Sequence, residues 1–428
     1  MKYHTIDRLD VYRYLSDGHK VLVGQLAQNP DAVYFQYDND YLARYQNLSP
    51  FKLPFSGELT KAPTAPHLGL QGVFADSLPD GWGMLLMDRV FRQHGILPHQ
   101  LTAMDRLAYI GNAGMGALSY SPALEWNASE HGDQLNLFTL ADQALSIFDG
   151  KRDEVLAALA NAGGSGGARP KALIYFDPQK PARINTVPRA NLQPWLIKFT
   201  SQNLLLGHEE GLCEAAYLTM SDRAGINVPD WKLIDVPETS TGSAWLALKR
   251  FDCNTEQSES GRFHMQSLCG LLGADFRQPS LDYEDVIKAG QVLCQSPRVG
   301  QLLFSRAIFN LFSLNQDDHS KNISFLMDDS GTWKLAPFYD VTFSPSPHNQ
   351  HMTAFMGYGE KPPLKVIQQL ASQANFSNWN AAQQEITRIV DAINQWPVIA
   401  SELGVSVDTQ KLIGDQQNKI YQQNKILL

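Results

Sequence analysis

The segment Asn315-Gln316-Asp317-Asp318-His319-Ser320-Lys321-Asn322 decides how this chain is read. It follows Leu302-Leu303-Phe304, Ala307-Ile308 and Leu311-Phe312, whose spacing predicts a strongly apolar, buried helix. A rigid element would then deliver these polar residues to one fixed place. Asp317 and Asn322 stand five residues apart. A loop of that length lets one carboxylate face a hydroxyl while an amide oxygen faces a metal. Downstream, Trp333 to Leu335 predicts a strand, followed by Pro337-Phe338-Tyr339-Asp340-Val341. A strand leading into an aspartate is the setting of a magnesium-binding Asp-Phe-Gly motif.

Phosphoryl transfer to a protein hydroxyl needs a phosphate cradle, a lysine on the phosphates, a base for the hydroxyl and ligands for magnesium. Candidates for each occur here in the order that protein kinases use. Gly163-Gly164-Ser165-Gly166-Gly167-Ala168-Arg169-Pro170-Lys171 leads into a predicted strand, Ala172 to Phe176. Lys198 lies on a second predicted strand, Trp195 to Phe199, with Glu214 on the next predicted helix as its candidate ion-pair partner. Asp317 is then the candidate base, Asn322 and Asp340 the metal ligands, and Lys321 a cation to offset charge on the transferred group. Each piece also has a plainer reading. A strand lysine usually lies along the surface with its ammonium in water, and Glu209 and Glu210 compete with Glu214. The glycine cluster alone reads as a flexible loop. Asp317-Asp318-His319 alone reads as a helix-end cap or a stray cation site, and Asp340 as a turn cap before Ser344 and Pro345. The plainer reading requires all of these to coincide in kinase order. His348-Asn349-Gln350-His351 suggests metal, but no acidic or cysteine ligands lie near it in sequence.

Outward from this centre, Val21 to Leu26 and Val33 to Tyr37 are β-rich runs, and Asp38-Asn39-Asp40 between apolar runs is a turn signal. Pro50, Pro54, Pro63 and Pro66 break up a loop-rich stretch. Within Phe74-Ala75-Asp76-Ser77-Leu78-Pro79-Asp80-Gly81-Trp82-Gly83, Pro79 is placed to open a helix whose apolar face includes Leu85, Leu86, Val90 and Phe91. A polar stretch, Glu125 to Asp133, ends this region. Helical patterning covers Leu140 to Ala160 and Leu212 to Ala224, and Ala244 to Phe251 returns to strand. Beyond Arg262 the pattern is mostly helical. The glutamine-rich tail from Leu364 carries Gln-Gln-Asn-Lys-Ile twice, which fits a surface helix better than a solenoid.

With 428 residues, two or three domains are the expectation. The 43% hydrophobic and 18% charged content is enough for a sizeable core. A net charge of −9 argues against direct binding to a phosphate backbone by this chain alone. Cys213, Cys253, Cys269 and Cys294 form no C-x-x-C pair, which argues against structural zinc and for reduced thiols in a cytoplasmic setting. Met1 to Lys20 has no apolar signal core, and no run reaches the length of a membrane span.

These residues resemble the HipA family of toxin kinases. Asn315-x-Asp317-x-His319-x-Lys321-Asn322 looks like that family's catalytic loop, and Pro337-Phe338-Tyr339-Asp340 looks like its metal-binding segment. Gly166-Gly167-Ala168-Arg169-Pro170-Lys171 resembles its phosphate loop. Lys198 in Ile-Lys-Phe and Glu214 before Ala-Ala-Tyr-Leu match as well, and Arg250-Phe251-Asp252 resembles the hinge segment. Phe74 to Trp82, with Ser77-Leu78-Pro79-Asp80, resembles the family's N-terminal domain, so the resemblance covers nearly the whole chain. It implies nucleotide contacts from Gly166, Gly167, Ala168, Arg169, Lys171, Lys198, Glu214, Lys249, Phe251 and His319. It also implies a serine/threonine kinase that uses ATP and Mg2+ and acts as the toxin of a toxin–antitoxin pair. The implied partners are a small helix-turn-helix (HipB-like) antitoxin, operator DNA mainly through that antitoxin, and a protein substrate such as an aminoacyl-tRNA synthetase. Family members are often silenced by autophosphorylation of a serine that commonly lies seven residues before the loop lysine. That position is Gly164 here, and Ser165, one residue later, is the candidate. Lys249 stands where the family often has glutamate, a change that a backbone-mediated hinge tolerates.

The expected fold is α+β. A β-rich N-terminal domain (1–135) precedes a two-lobed protein-kinase-like body. Its first lobe (136–258) carries the glycine-rich loop and the ATP lysine, and its mostly helical second lobe (259–428) carries the catalytic loop. Two other functions compete with the kinase toxin: a weak or inactive kinase serving as a corepressor, and a small-molecule phosphotransferase.

Overall fold

Burial alternates along Arg8–Tyr14, as it must in a strand with one face on a core. The computed structural model describes residues 3–124, 135–155, 157–181, 183–236, 244–258 and 260–428. In it, Arg8–Tyr14 is part of a five-stranded antiparallel sheet with the order Thr60–Lys61, Val33–Tyr37, Lys20–Gln28, Arg8–Tyr14, Leu118–Ser121. Phe35 packs against Phe74 across this core, with ring centroids 4.7 Å apart. Asp38-Asn39-Asp40 is not a turn but a helix start. The Asp38 carboxylate accepts from the Asp40 and Tyr41 amides and caps the helix Asn39–Arg44. The helix expected after Pro79 begins at Gly81 and runs to Gln93. Leu86, Val90 and Phe91 are buried as expected, whereas Leu85 is 39% exposed. The polar stretch Glu125 to Asp133 lies outside the described residues.

A second, six-stranded sheet follows. Its order is Trp231–Asp235, Ala244–Lys249, Gln193–Lys198, Lys171–Phe176, Arg183–Asn185, Leu135–Asn136, with antiparallel neighbours. Lys171–Phe176 is buried at every position, which is why it reads as an unbroken apolar run after its first lysine. Helix Glu210–Arg223 lies against this sheet, and Gly211 permits the approach because a Cβ there would sit 3.3 Å from the Leu246 amide nitrogen. The sheet core also receives Trp82, Leu86 and Val90 from helix Gly81–Gln93. One helix of the N-terminal third therefore helps to build the wall that carries Lys171 and Lys198.

The remainder is mostly helical, but not wholly so. A three-stranded antiparallel sheet, His264–Ser267, Ser324–Met327 and Trp333–Leu335, brackets the decisive segment. Helix Pro297–Ser313 is the predicted apolar helix, and Leu314 ends it in the left-handed conformation at φ +60°. Leu364–Gln373, Trp379–Ile393, Trp396–Glu402 and Val407–Asn424 are the predicted C-terminal helices. The mixed helix-and-sheet class agrees with the sequence reading. Among the described residues, no helix is long and apolar enough to cross a membrane.

Candidate active site

Strand register places Lys171 directly opposite Lys198. Like charges facing across a sheet repel, so acids must gather around them. Lys198 Nζ donates to Glu214 Oε1 at 2.6 Å and Oε2 at 2.8 Å, and to Asp340 Oδ1 at 2.6 Å. Burial would lower the Lys198 pKa, but Asp340 and Glu214 raise it above its ordinary value. Burial would likewise raise the Asp340 carboxyl, but Lys198 and then Lys171 hold it far below the usual carboxylate range. Lys171 has no such close acid. Its Nζ donates to the Gly166 carbonyl at 2.9 Å, and burial pushes it down to about 8 against the pull of Asp340.

The three competing glutamates separate cleanly. Glu214 takes Lys198, and Glu210 takes Arg169 at 2.7 Å. Glu209 accepts from the Ser406 amide and hydroxyl, away from the cleft. The sequence alone leaves these three open, because acids at and just inside a helix start differ only in which way they face.

The cleft between the six-stranded sheet and the helical part has a volume of about 510 Å³. Its walls include Ser165, Gly166, Gly167, Ala168, Arg169, Lys171, Lys198, Lys249, Phe251, Asp317, His319, Lys321, Asn322 and Asp340. Of the residues predicted for the site, Glu214 alone is not a wall residue, and it reaches the cleft through Lys198. The glycine-rich loop packs tightly. A Cβ at Gly164 would lie 2.5 Å from the Ala113 carbonyl oxygen, and one at Gly167 (φ +99°) would lie 2.1 Å from Lys171 Nζ. Ser165 is 2% exposed, and its buried hydroxyl has no hydrogen-bond partner among the described residues.

Asp317 and Asp318 have opposite surroundings. The Asp317 side chain is 64% exposed, with His319 Nε2 at 3.7 Å from Oδ1. The cleft walls raise its carboxyl above the ordinary value; His319 opposes this and Asp340 adds to it. Asp318 is buried. Its Oδ2 accepts from the Tyr283 hydroxyl at 2.5 Å and faces His351 Nδ1 at 2.8 Å, while Oδ1 accepts the Met352 and Thr353 amides at 2.8 and 3.2 Å. This accounts for His351, whose motif suggested metal. Asn322 Nδ2 donates to the Asp317 carbonyl at 2.9 Å, which orients its amide. Tyr339 donates to the Lys321 carbonyl at 2.7 Å and packs on Phe251 with ring centroids 5.5 Å apart.

Sequence reading missed the place of Asp80 in this group. Its carboxylate accepts the Gly167 amide and lies 3.1 Å from Lys321 Nζ. Only its position in the motif Ser77-Leu78-Pro79-Asp80 marked it.

Residues 163–397 match the HipA-like C-terminal domain, and residues 17–121 match the HipA N-terminal domain. The chain belongs to the HipA family. One chain in the structure of the Shewanella oneidensis MR-1 toxin–antitoxin system HipA, HipB and operator DNA complex has the same fold, with a TM-score of 0.69 and 17% identity, covering 97% of this chain and 96% of that one. Two proteins of Sinorhizobium fredii (strain NBRC 101917 / NGR234) are also similar. "Putative kinase Y4dM" is 28% identical over 158 residues, 34% of this chain and 36% of that protein. "Putative kinase Y4mE" is 30% identical over 112 residues, 24% of this chain and 26% of that protein. The match thus spans only 36% and 26% of the length of these curated relatives.

Proposed function

We propose that this chain is an ATP- and Mg2+-dependent serine/threonine protein kinase and the toxin of a toxin–antitoxin pair. The observation that carries the reading is Lys198, held between Glu214 and Asp340 in a cleft that also contains Asp317 and Asn322. A buried lysine on two carboxylates is expensive unless it has a task, and kinases use this lysine–glutamate–aspartate arrangement to set nucleotide phosphates.

The roles follow from the chemistry of each group. Lys198, Lys171 and Arg169 supply positive charge for the phosphates, and the amides of Gly166, Gly167 and Ala168 cradle them. The amides of Lys249 and Arg250 are bonded to the Asp230 and Pro194 carbonyls, so a hinge N–H for the adenine has to come from Phe251 onward. His319, with Nε2 3.7 Å from Asp317 Oδ1, is a proposed nucleotide contact. Asp317 accepts the substrate hydroxyl proton as the hydroxyl oxygen bonds to the γ-phosphorus and the bond to the ADP oxygen breaks. Its raised carboxyl suits a general base. Lys321 offsets charge on the transferred group. Asn322 and Asp340 form an all-oxygen pair, one carboxylate and one amide, which fits Mg2+ completed by substrate phosphates and water. Bound there, the ion would neutralise phosphate charge.

Support for the partner comes from the structural neighbour, which is a complex of HipA with HipB and operator DNA. We extend this to a small helix-turn-helix antitoxin that carries the operator contacts, and to a protein substrate of the aminoacyl-tRNA synthetase class. Ser165 is the proposed autophosphorylation site. Its buried hydroxyl requires the loop to leave the cleft first, and a phosphate of charge about −2 would then keep it out.

The test is incubation of purified protein with labelled ATP, with and without bacterial lysate. Label on a lysate protein supports the kinase. No label anywhere favours a corepressor, and label on a metabolite favours a small-molecule phosphotransferase.

A further inference from the structure

Asp80 occupies the N-cap of helix Gly81–Gln93, where an aspartate ordinarily accepts from the first amides of its own helix. Here its side chain makes no capping bond. One oxygen accepts the Gly167 amide of the glycine-rich loop, and the other accepts Lys321 Nζ at 3.1 Å. The side chain is 11% exposed. Burial would raise its carboxyl, but Lys321, the Gly167 amide and Lys171 hold it below the ordinary range, so it is charged at neutral pH. One carboxylate therefore joins stretches that lie 87 and 241 residues away in sequence.

We infer that Asp80 is a positioning residue that latches both the glycine-rich loop and Lys321 to the N-terminal segment at the wall of the cleft. Its consequences for nucleotide rest on the kinase reading above; the latch itself does not. The competing explanation is packing. A Cβ at Gly81 would lie 2.7 Å from Ala168 Cα, one at Gly83 would lie 2.4 Å from the Gly163 carbonyl oxygen, and the Trp82 amide donates to the Gly167 carbonyl at 3.0 Å. If these contacts alone hold the loop, Asp80 is dispensable.

Amide hydrogen exchange on the full chain without nucleotide separates the two. In Asp80→Ala, residues 163–168 should exchange about 10–100-fold faster, the usual consequence of losing a charge-assisted bond, while 172–176 are unchanged. Wild-type exchange at 163–168 overturns the latch. Should Asp80→Ala not fold, Asp80→Asn and Lys321→Met, alone and combined, carry the test. Asparagine keeps an acceptor for Gly167 but loses the charge facing Lys321. Each single change should slow phosphoryl transfer about tenfold with ATP Kd within about threefold, and the pair should be no worse than Lys321→Met. Additive losses would refute the coupling. Failure of the wild-type chain to bind ATP would sink the kinase reading and leave the exchange result standing.

Discussion

Asp317 and Asp318 are neighbours, yet the same substitution at each should have opposite effects. Asp318 is 1% exposed, and each of its oxygens meets two partners: Tyr283 and His351 on one, Met352 and Thr353 amides on the other. Asn has the same shape but only one carbonyl oxygen. Turned one way, its NH2 faces the Met352 and Thr353 amides, both donors; turned the other, it faces His351 and the Tyr283 hydroxyl, whose proton then loses its acceptor. At least one buried donor is left unmatched in either orientation, at about 1–3 kcal/mol, so Asp318→Asn should lose about that much. For a unit of about 200 residues, that lowers the thermal midpoint by on the order of 2–12 °C. Asp317 is 64% exposed, and its carboxylate has no comparable set of donors. Asp317→Asn should leave the midpoint unchanged and keep nucleotide affinity, while phosphoryl transfer falls about 10²–10⁴-fold through loss of the base. Calorimetry and a labelled-ATP assay on both variants check this. If Asp318→Asn melts with the wild type, or Asp317→Asn is the one that unfolds early, the reasoning from surroundings is wrong.

Three further outcomes are expected. Lys198→Ala should abolish phosphorylation and also cost about 3–5 kcal/mol in urea unfolding, because Glu214 is left buried without its cation. With Lys171 at about 8, it loses its charge as pH rises through 8, so ATP affinity by calorimetry should fall above that pH in the wild type but not in Lys171→Arg. The sign for stability is the reverse: the unfolded lysine still binds its proton, so Lys171 adds stability as pH rises from about 8 towards 10.5. By fluorescence anisotropy at physiological salt, the isolated chain should bind duplex DNA weakly, given its net charge of −9, and gain operator affinity only with a basic partner.

Much of the site is legible in the sequence because its information is local. The five-residue interval from Asp317 to Asn322, the strand before Asp340 and the lysine in Gln193–Lys198 are set by short-range geometry, and spacing together with residue type conveys them. The family follows from the same motifs. The strands His264–Ser267 and Ser324–Met327 are not legible, because runs of four residues buried on both faces show no period to distinguish them from helix. The pairing of acids with cations is also out of reach. Glu209, Glu210 and Glu214 are equivalent in composition, and only the packing of helix Glu210–Arg223 on the sheet sends each to Ser406, Arg169 or Lys198. Asp80 belongs to the cleft for the same reason. Its contacts at Gly167 and Lys321 are made by parts of the chain that meet only when the two sheets and the helical part are assembled, and no local pattern encodes a contact across 241 residues.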